Sequence, residues 1–115
     1  MHIADDFVAI RARMSDPVVT LVAERSRIEA ETEASAGDGA LYGALVERAA
    51  ERIGRLDDEI ADTIATSAAG IIGQVRVLRE ICEGDYADNE HRSDDCADRL
   101  MAAISAAIER LAGGA

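Results

Sequence analysis

Between positions 82 and 96 the chain places both of its cysteines and one of its two histidines close to carboxylates, in the cluster Cys82, Asp85, Asp88, Glu90, His91, Asp94, Asp95 and Cys96. On a helix Asp88 and His91 are i, i+3 neighbours and His91 and Asp95 are i, i+4 neighbours, so both carboxylates can flank the imidazole. Imidazole with thiolate and carboxylate is a donor set for zinc or another transition metal, and the candidate ligands are His91, Asp88, Asp95 and Cys96. The spacing C-x8-H-x4-C matches no standard zinc pattern. A ferritin-like di-metal site needs a second Glu/Asp-x-x-His, and the other histidine is His2. Asp85-x-x-Asp88-x-Glu90 lacks the glycine and the distal Glu of a calcium-binding loop. The competing reading is a solvated acidic connection whose Asp94 and Asp95 favour the positive end of the helix that follows. That reading predicts no metal and no cofactor, with a metal role for the 82–96 segment as the alternative.

Other chemistry is weaker still. Cys96 and His91 lie five residues apart, a poor geometry for proton transfer along one helix. Both cysteines read as buried free thiols behaving as small apolar residues, although an antiparallel hairpin can bring them together. The acids Glu29, Glu31 and Glu33, and Asp57, Asp58 and Glu59, fall on faces predicted to be wet, where nothing raises a carboxylate pKa. Gly70-x-x-Gly73 lacks the Lys of a phosphate loop and reads as a site of close helix packing. The sequence therefore predicts no catalytic residue and no enzyme.

The elements that position these residues follow from composition. The chain has 115 residues, no Trp, one Phe, two Tyr and a single Pro, with Ala abundant. Such a composition favours helix over strand. The fold class expected is all-α, an antiparallel bundle of three to four helices containing one long coiled-coil-like helix, in a single domain spanning 1–115. All 12 basic residues are Arg, as a GC-rich bacterial genome encodes, and the net charge is −11. An acidic chain repels phosphate backbones and anionic bilayers, so direct nucleic-acid and membrane binding are not expected. The longest uncharged stretch, Thr63–Val75, is 13 residues and too polar to span a bilayer. Asp5 and Asp6 stand where a signal peptide needs positive charge, and two cysteines are too few for a disulfide framework, so a cytoplasmic location is expected.

Along the chain, Ile3, Phe7, Ile10 and Met14 mark a short amphipathic stretch. Asp16 suits an N-cap and Pro17 the first helical position, opening a helix to about Ala34. Its stripe is Val18, Leu21, Val22 and Ile28, weakened by Arg25. Gly37-Asp38-Gly39 forms a turn. Tyr42, Val46, Ala49, Ile53, Leu56 and Ile60 then alternate steps of four and three, a narrow heptad seam. The phase is lost near 63–67, where Thr66 or Ser67 can cap a new helix. That helix presents Ile71, Val75, Leu78 and Cys82 on one face with Ile72 and Val77 beside it, and it should be the most buried. Glu83–Asp98 is a polar connection with seven acids against Arg92 alone. A last helix, starting near Ser93, carries Ala97, Leu100, Met101, Ile104, Ile108 and Leu111.

Within this layout the run Ile60-Ala61-Asp62-Thr63-Ile64-Ala65-Thr66-Ser67-Ala68-Ala69-Gly70-Ile71, followed by Val75-Arg76 and Leu78, resembles the pattern I-A-x-T-P-A-T-T-x-A-G-L. That pattern occurs in small uncharacterised helical proteins of alphaproteobacteria, some of them prophage-borne. The resemblance covers about twenty residues and implies one long helix before the run and another after it. It implies no reaction or ligand. Ile64 replaces the usual Pro and Gln74 the usual Lys, which leaves open whether the chain breaks or bends at 63–67.

The function expected is a helical protein–protein interaction module. The seam Tyr42–Ile60 and the stripe Leu100–Leu111 should bury each other, leaving apolar surface for a homodimer built from the long helix and the Pro17–Ala34 helix. The interface candidates are Leu21, Val22, Tyr42, Val46, Ala49 and Ile53. An acidic decoy occupying the basic surface of a nucleic-acid-binding protein is the alternative partner reading.

Overall fold

The computed structural model describes residues 16–37, 39–83 and 89–113, with Ala40 described in its backbone alone. The Ile3–Met14 stretch, Asp38 and the 84–88 part of the acidic connection lie outside the described residues. Among the described residues four helices make up the fold: α1 Pro17–Ala34, α2 Gly39–Ala61, α3 Ala68–Glu83 and α4 Cys96–Gly113. The fold class is the expected all-α bundle. No described helix is long and apolar enough to cross a membrane.

Asp16, in extended conformation, caps α1 by accepting a hydrogen bond from the Val18 N–H at 3.0 Å, with Pro17 in the first turn. α2 ends at Ala61, and residues 62–67 leave the helix before α3 starts. The chain therefore breaks at this corner. Ser67 caps α3, its Oγ accepting from the Gly70 N–H at 3.1 Å. α4 begins at Cys96, three residues later than Ser93.

Cross-chain bonds fix the helix directions. Arg25 of α1 meets Asp57 of α2, while Asp16 meets Thr66 and Ser67 just past the end of α2. α1 and α2 are therefore antiparallel. Glu80 of α3 reaches the same Arg25, and Gln74 reaches the carbonyls of Ile60 and Thr63, so α3 also runs against α2. Ser93, ahead of α4, bonds Asp58, and Arg99 in its first turn bonds Asp58 and Asp62. α4 thus runs with α2 and against α3. The helices surround a square in the order α1, α2, α4, α3, with the α2–α3 diagonal sparsely packed.

Two apolar clusters fill it. Val18, Ile60, Ala61, Ala65, Val77, Ile81, Cys96, Leu100, Ile104 and Ala107 form the core where all four helices meet. Ile28, Ala49, Ile53 and Leu56 form a second one between α1 and α2 alone, with Leu21 joining both. The seam of α2 is therefore covered over much of its length by α1 rather than by α4. Leu111 and Ile108, placed on the burying stripe of the last helix by their spacing, are exposed.

α3 corrects the sequence reading most. Its inner face is Gly70, Gly73, Gln74, Val77 and Ile81. Ile71 and Leu78 are half-buried, while Ile72, Val75 and Cys82 face outward. The small residues look inward because neighbours come too close for a side chain. A Cβ at Gly70 would collide with the Asp16 carboxylate and the Ala65 methyl, and one at Gly73 would press Val22.

Candidate functional site

Around the α1–α2–α3 contact the bundle encloses charge. Arg25 lies on the inward face of α1 and donates through Nε to Asp57 Oδ1 at 2.6 Å, while its Nη1 also pairs with Glu29 and Glu80. Asp57 is 0% exposed, and its second oxygen accepts from Arg92 Nη1 at 3.1 Å. Burial pushes the Asp57 carboxyl above its ordinary pKa, with Arg25 and Arg92 opposing. Burial would lower Arg25, but Asp57 and Glu80 outweigh it and hold the guanidinium above its usual value. Glu29 is raised too, by burial first, against the pull of Arg25. This overturns the reading of Asp57 as a wet acid and of Arg25 as a flaw in its stripe: the two occupy core positions because they neutralise each other. The cluster is closed by its own counter-charges, so its evident work is structural.

A second network ties α4 to α2. Asp58 accepts from the Ser93 N–H at 3.0 Å and from Arg99 Nη2 at 2.6 Å. Burial alone would raise Asp58, but the Ser93 and Arg99 bonds lower its pKa below the ordinary value. Arg99 also holds Asp95 at 3.0 Å and pairs with Asp62. Its bonds to Asp95 and Asp62 keep it well above its usual pKa. The segment leading into α4 lies close on α2: Asn89 Nδ2 donates to the Ala50 carbonyl at 2.9 Å, and a Cβ at Gly54 would meet the His91 backbone at 2.8 Å.

The described candidate metal ligands, His91, Asp95 and Cys96, are not gathered. Asp88 lies outside the described residues. His91 is exposed and faces Glu90, with 3.6 Å between Nε2 and Oε1. Asp95 is committed to Arg99. Cys96 sits in the four-helix core with its thiol pushed up to about 12 by burial and by the nearby carboxylates of Asp58 and Asp57. A protonated thiol is neither a ligand nor a nucleophile. Among the described residues no group of three or more His, Cys, Asp or Glu side chains is placed to hold a metal. Cys82 departs from expectation: it is exposed.

The six interface candidates are also redistributed. Ala49 and Ile53 are buried beneath Ile28 and Leu21 of α1. Leu21 and Val22 are half-buried against the core, Tyr42 is half-buried, and Val46 alone of the six is exposed. Leu41 and Val46 of α2 are open as well, and a larger group of exposed apolar residues lies on α3 and α4. At about 100° per residue, Val75 falls on the flank of α3 that turns toward α4, as Ile71 and Leu78 do, with Ile72 next to it. Met101 and Ile108 fall on the flank of α4 that turns toward α3. Ile72 is 59% exposed, Ile108 51%, Met101 48% and Val75 39%. Together they run along the outside of the α3–α4 pair, the side of the square away from α1 and α2. Sequence reasoning misses this surface because apolar spacing on α3 reads as an inward face.

Comparison with protein-family models, curated proteins and solved structures finds no match.

Proposed function

We propose that the protein is a helical protein–protein interaction module of the cytoplasm that self-associates. The observation that carries this reading is the outer face of α3 and α4, where Ile72, Val75, Met101 and Ile108 are open to solvent on two adjacent helices. Single exposed apolar residues are ordinary on a protein surface. Four large ones on one side of a helix pair, all on the same side of the bundle, are the pattern of a surface that is covered in use. The face replaces the α1–α2 surface expected from spacing, since α1 already covers most of the α2 seam. The charge networks speak against the acidic decoy: Asp57, Asp58, Asp62, Glu80 and Asp95 are all paired within the chain and are poorly placed to mimic phosphates.

The test is a pair of variants. Ile72→Glu and Met101→Glu should keep the helical circular dichroism and melting of the parent while lowering the mass seen by light scattering. Variants that leave the mass unchanged would refute the assignment of this face.

A further inference from the structure

We infer that the α3–α4 face is occupied by a second copy of this chain, related by a two-fold axis running along the α3–α4 seam, so that α3 of each copy lies over α4 of the other. This rests on the interaction reading above and specifies the partner and its orientation.

Charge on the two sides of the apolar strip selects this arrangement. On the α3 side stand the exposed Arg76 and Arg79, with Glu83 at the helix end 3.7 Å from Arg79. On the α4 side stand the exposed Asp98 and Glu109. At about 100° per residue, Arg79 falls between Val75 and Ile72 and Arg76 beyond Ile72, while Asp98 and Glu109 fall beyond Met101, so the α3 side of the strip is mainly basic and the α4 side acidic. A two-fold interface uses the same patch twice, so the patch must complement itself. Two in-plane axes are available. An axis across the seam lays α3 on α3 and α4 on α4, which opposes arginines with arginines and carboxylates with carboxylates. An axis along the seam lays α3 on α4 and opposes the basic side with the acidic one, which like-charge repulsion makes the favoured arrangement.

Register agrees with this choice. Gln74 bonds the carbonyls of Ile60 and Thr63, and Arg99 bonds Asp58 and Asp62, so both helices are levelled against the same stretch of α2. Positions 76–79 of α3 therefore lie beside the first turns of α4. A rotation about the seam preserves that level, which brings Arg76 and Arg79 of one copy opposite Asp98 of the other. Ile72 then lies opposite the middle of the partner's α4, where Met101 and Ile108 form its apolar edge. A net charge of −11 works against any self-association, so the local pairing of opposite sides is what lets two copies approach.

The experiment is a charge-swap cycle read by sedimentation equilibrium, with Ile72→Glu as a companion. Arg79→Glu and Asp98→Arg should each weaken dimerisation by about tenfold, and the double variant should restore it to near the parent value, with the effects shrinking in high salt. If Ile72→Glu dissociates the dimer while the charge variants act additively, the orientation is wrong and the interaction face stands. If the dimer survives Ile72→Glu, the face itself is wrong. A parent protein that stays monomeric at every concentration overturns both.

Discussion

Asp16 and Ser67, separated by fifty-one positions, share a hydrogen bond of 2.6 Å that joins the N-terminal caps of two helices. Asp16 Oδ1 caps α1 through the Val18 N–H, while Oδ2 accepts from the Ser67 hydroxyl and from the Thr66 N–H at 3.1 Å. Ser67 Oγ in turn caps α3 at Gly70. One buried carboxylate thus lies at the positive ends of two helices at once. Gln74 completes the corner by donating to the carbonyls of Ile60, in the last turn of α2, and of Thr63 just beyond it. The corner fixes where α3 starts, and through it the face that α3 shows to solvent.

Removing that carboxylate should be costly. Asp16→Ala loses a helix cap and strands two further donors, so unfolding free energy should drop by at least ~2 kcal/mol. Ser67→Ala should cost less, on the order of 1 kcal/mol, because Asp16 keeps its other donors. Urea titration followed at the helical circular dichroism band measures both. Equal small losses would contradict the shared-cap account.

The outline of this fold is legible in the sequence, and its corrections have a common cause. Asp16-Pro17 announces the start of α1, and Ser67 was one of two residues able to cap α3. What spacing could not supply was the identity of the neighbour. Arg25 follows Leu21 and Val22 by four and three residues, and Asp57 lies four after Ile53 and three before Ile60, so both sit in core phase. A charged residue in core phase on each of two adjoining helices was the available signal for a buried pair. On α3, Gly70, Gly73 and Gln74 look like an outer face until Asp16, Val22 and the α2 carbonyls are brought against them. The apolar residues opposite are left outside, and the exposed face arises in that way.

The buried pair predicts an asymmetric response to mutation. Asp57→Ala removes the buried carboxylate that Arg25 and Arg92 share, leaving Arg25 its pairs with Glu29 and Glu80, and should destabilise the protein by ~3 kcal/mol. Glu31→Ala, on an exposed position of α1, should change stability by less than about 0.5 kcal/mol. Thermal melts of the two variants decide this; a mild Asp57→Ala would mean the pair contributes little.

Acid sensitivity should trace to Asp58. Its folded pKa lies below the ordinary value near about 3.9, held there by Ser93 and Arg99. A lowered carboxylate stabilises the fold above its unfolded pKa, and that contribution is lost as pH falls through the folded pKa. Asp58→Asn should therefore flatten the loss of stability on the acid side, below about pH 4. Asp57 and Glu29 are shifted upward and carry the opposite sign: their contribution is present at low pH and fades as pH rises through their folded values. Denaturant melts across an acid series test the sign. A slope unchanged in Asp58→Asn would contradict the assignment.

The two thiols should separate cleanly in a labelling experiment. Cys82 is exposed in the single chain and should react with a maleimide in the folded protein at dilutions that favour the monomer, whereas Cys96, buried with its thiol pushed up to about 12, should label only on unfolding. Mass spectrometry that finds Cys96 modified as fast as Cys82 would place α4 differently from the four-helix core described.

Whether a second chain covers the outer face of α3 and α4 is decided by sedimentation equilibrium across a concentration series. The account predicts a mass that rises from the monomer value of 12.2 kDa toward twice that value as concentration increases, and an Ile72→Glu variant that stays at the monomer value. A parent protein that remains at 12.2 kDa throughout the series would contradict it.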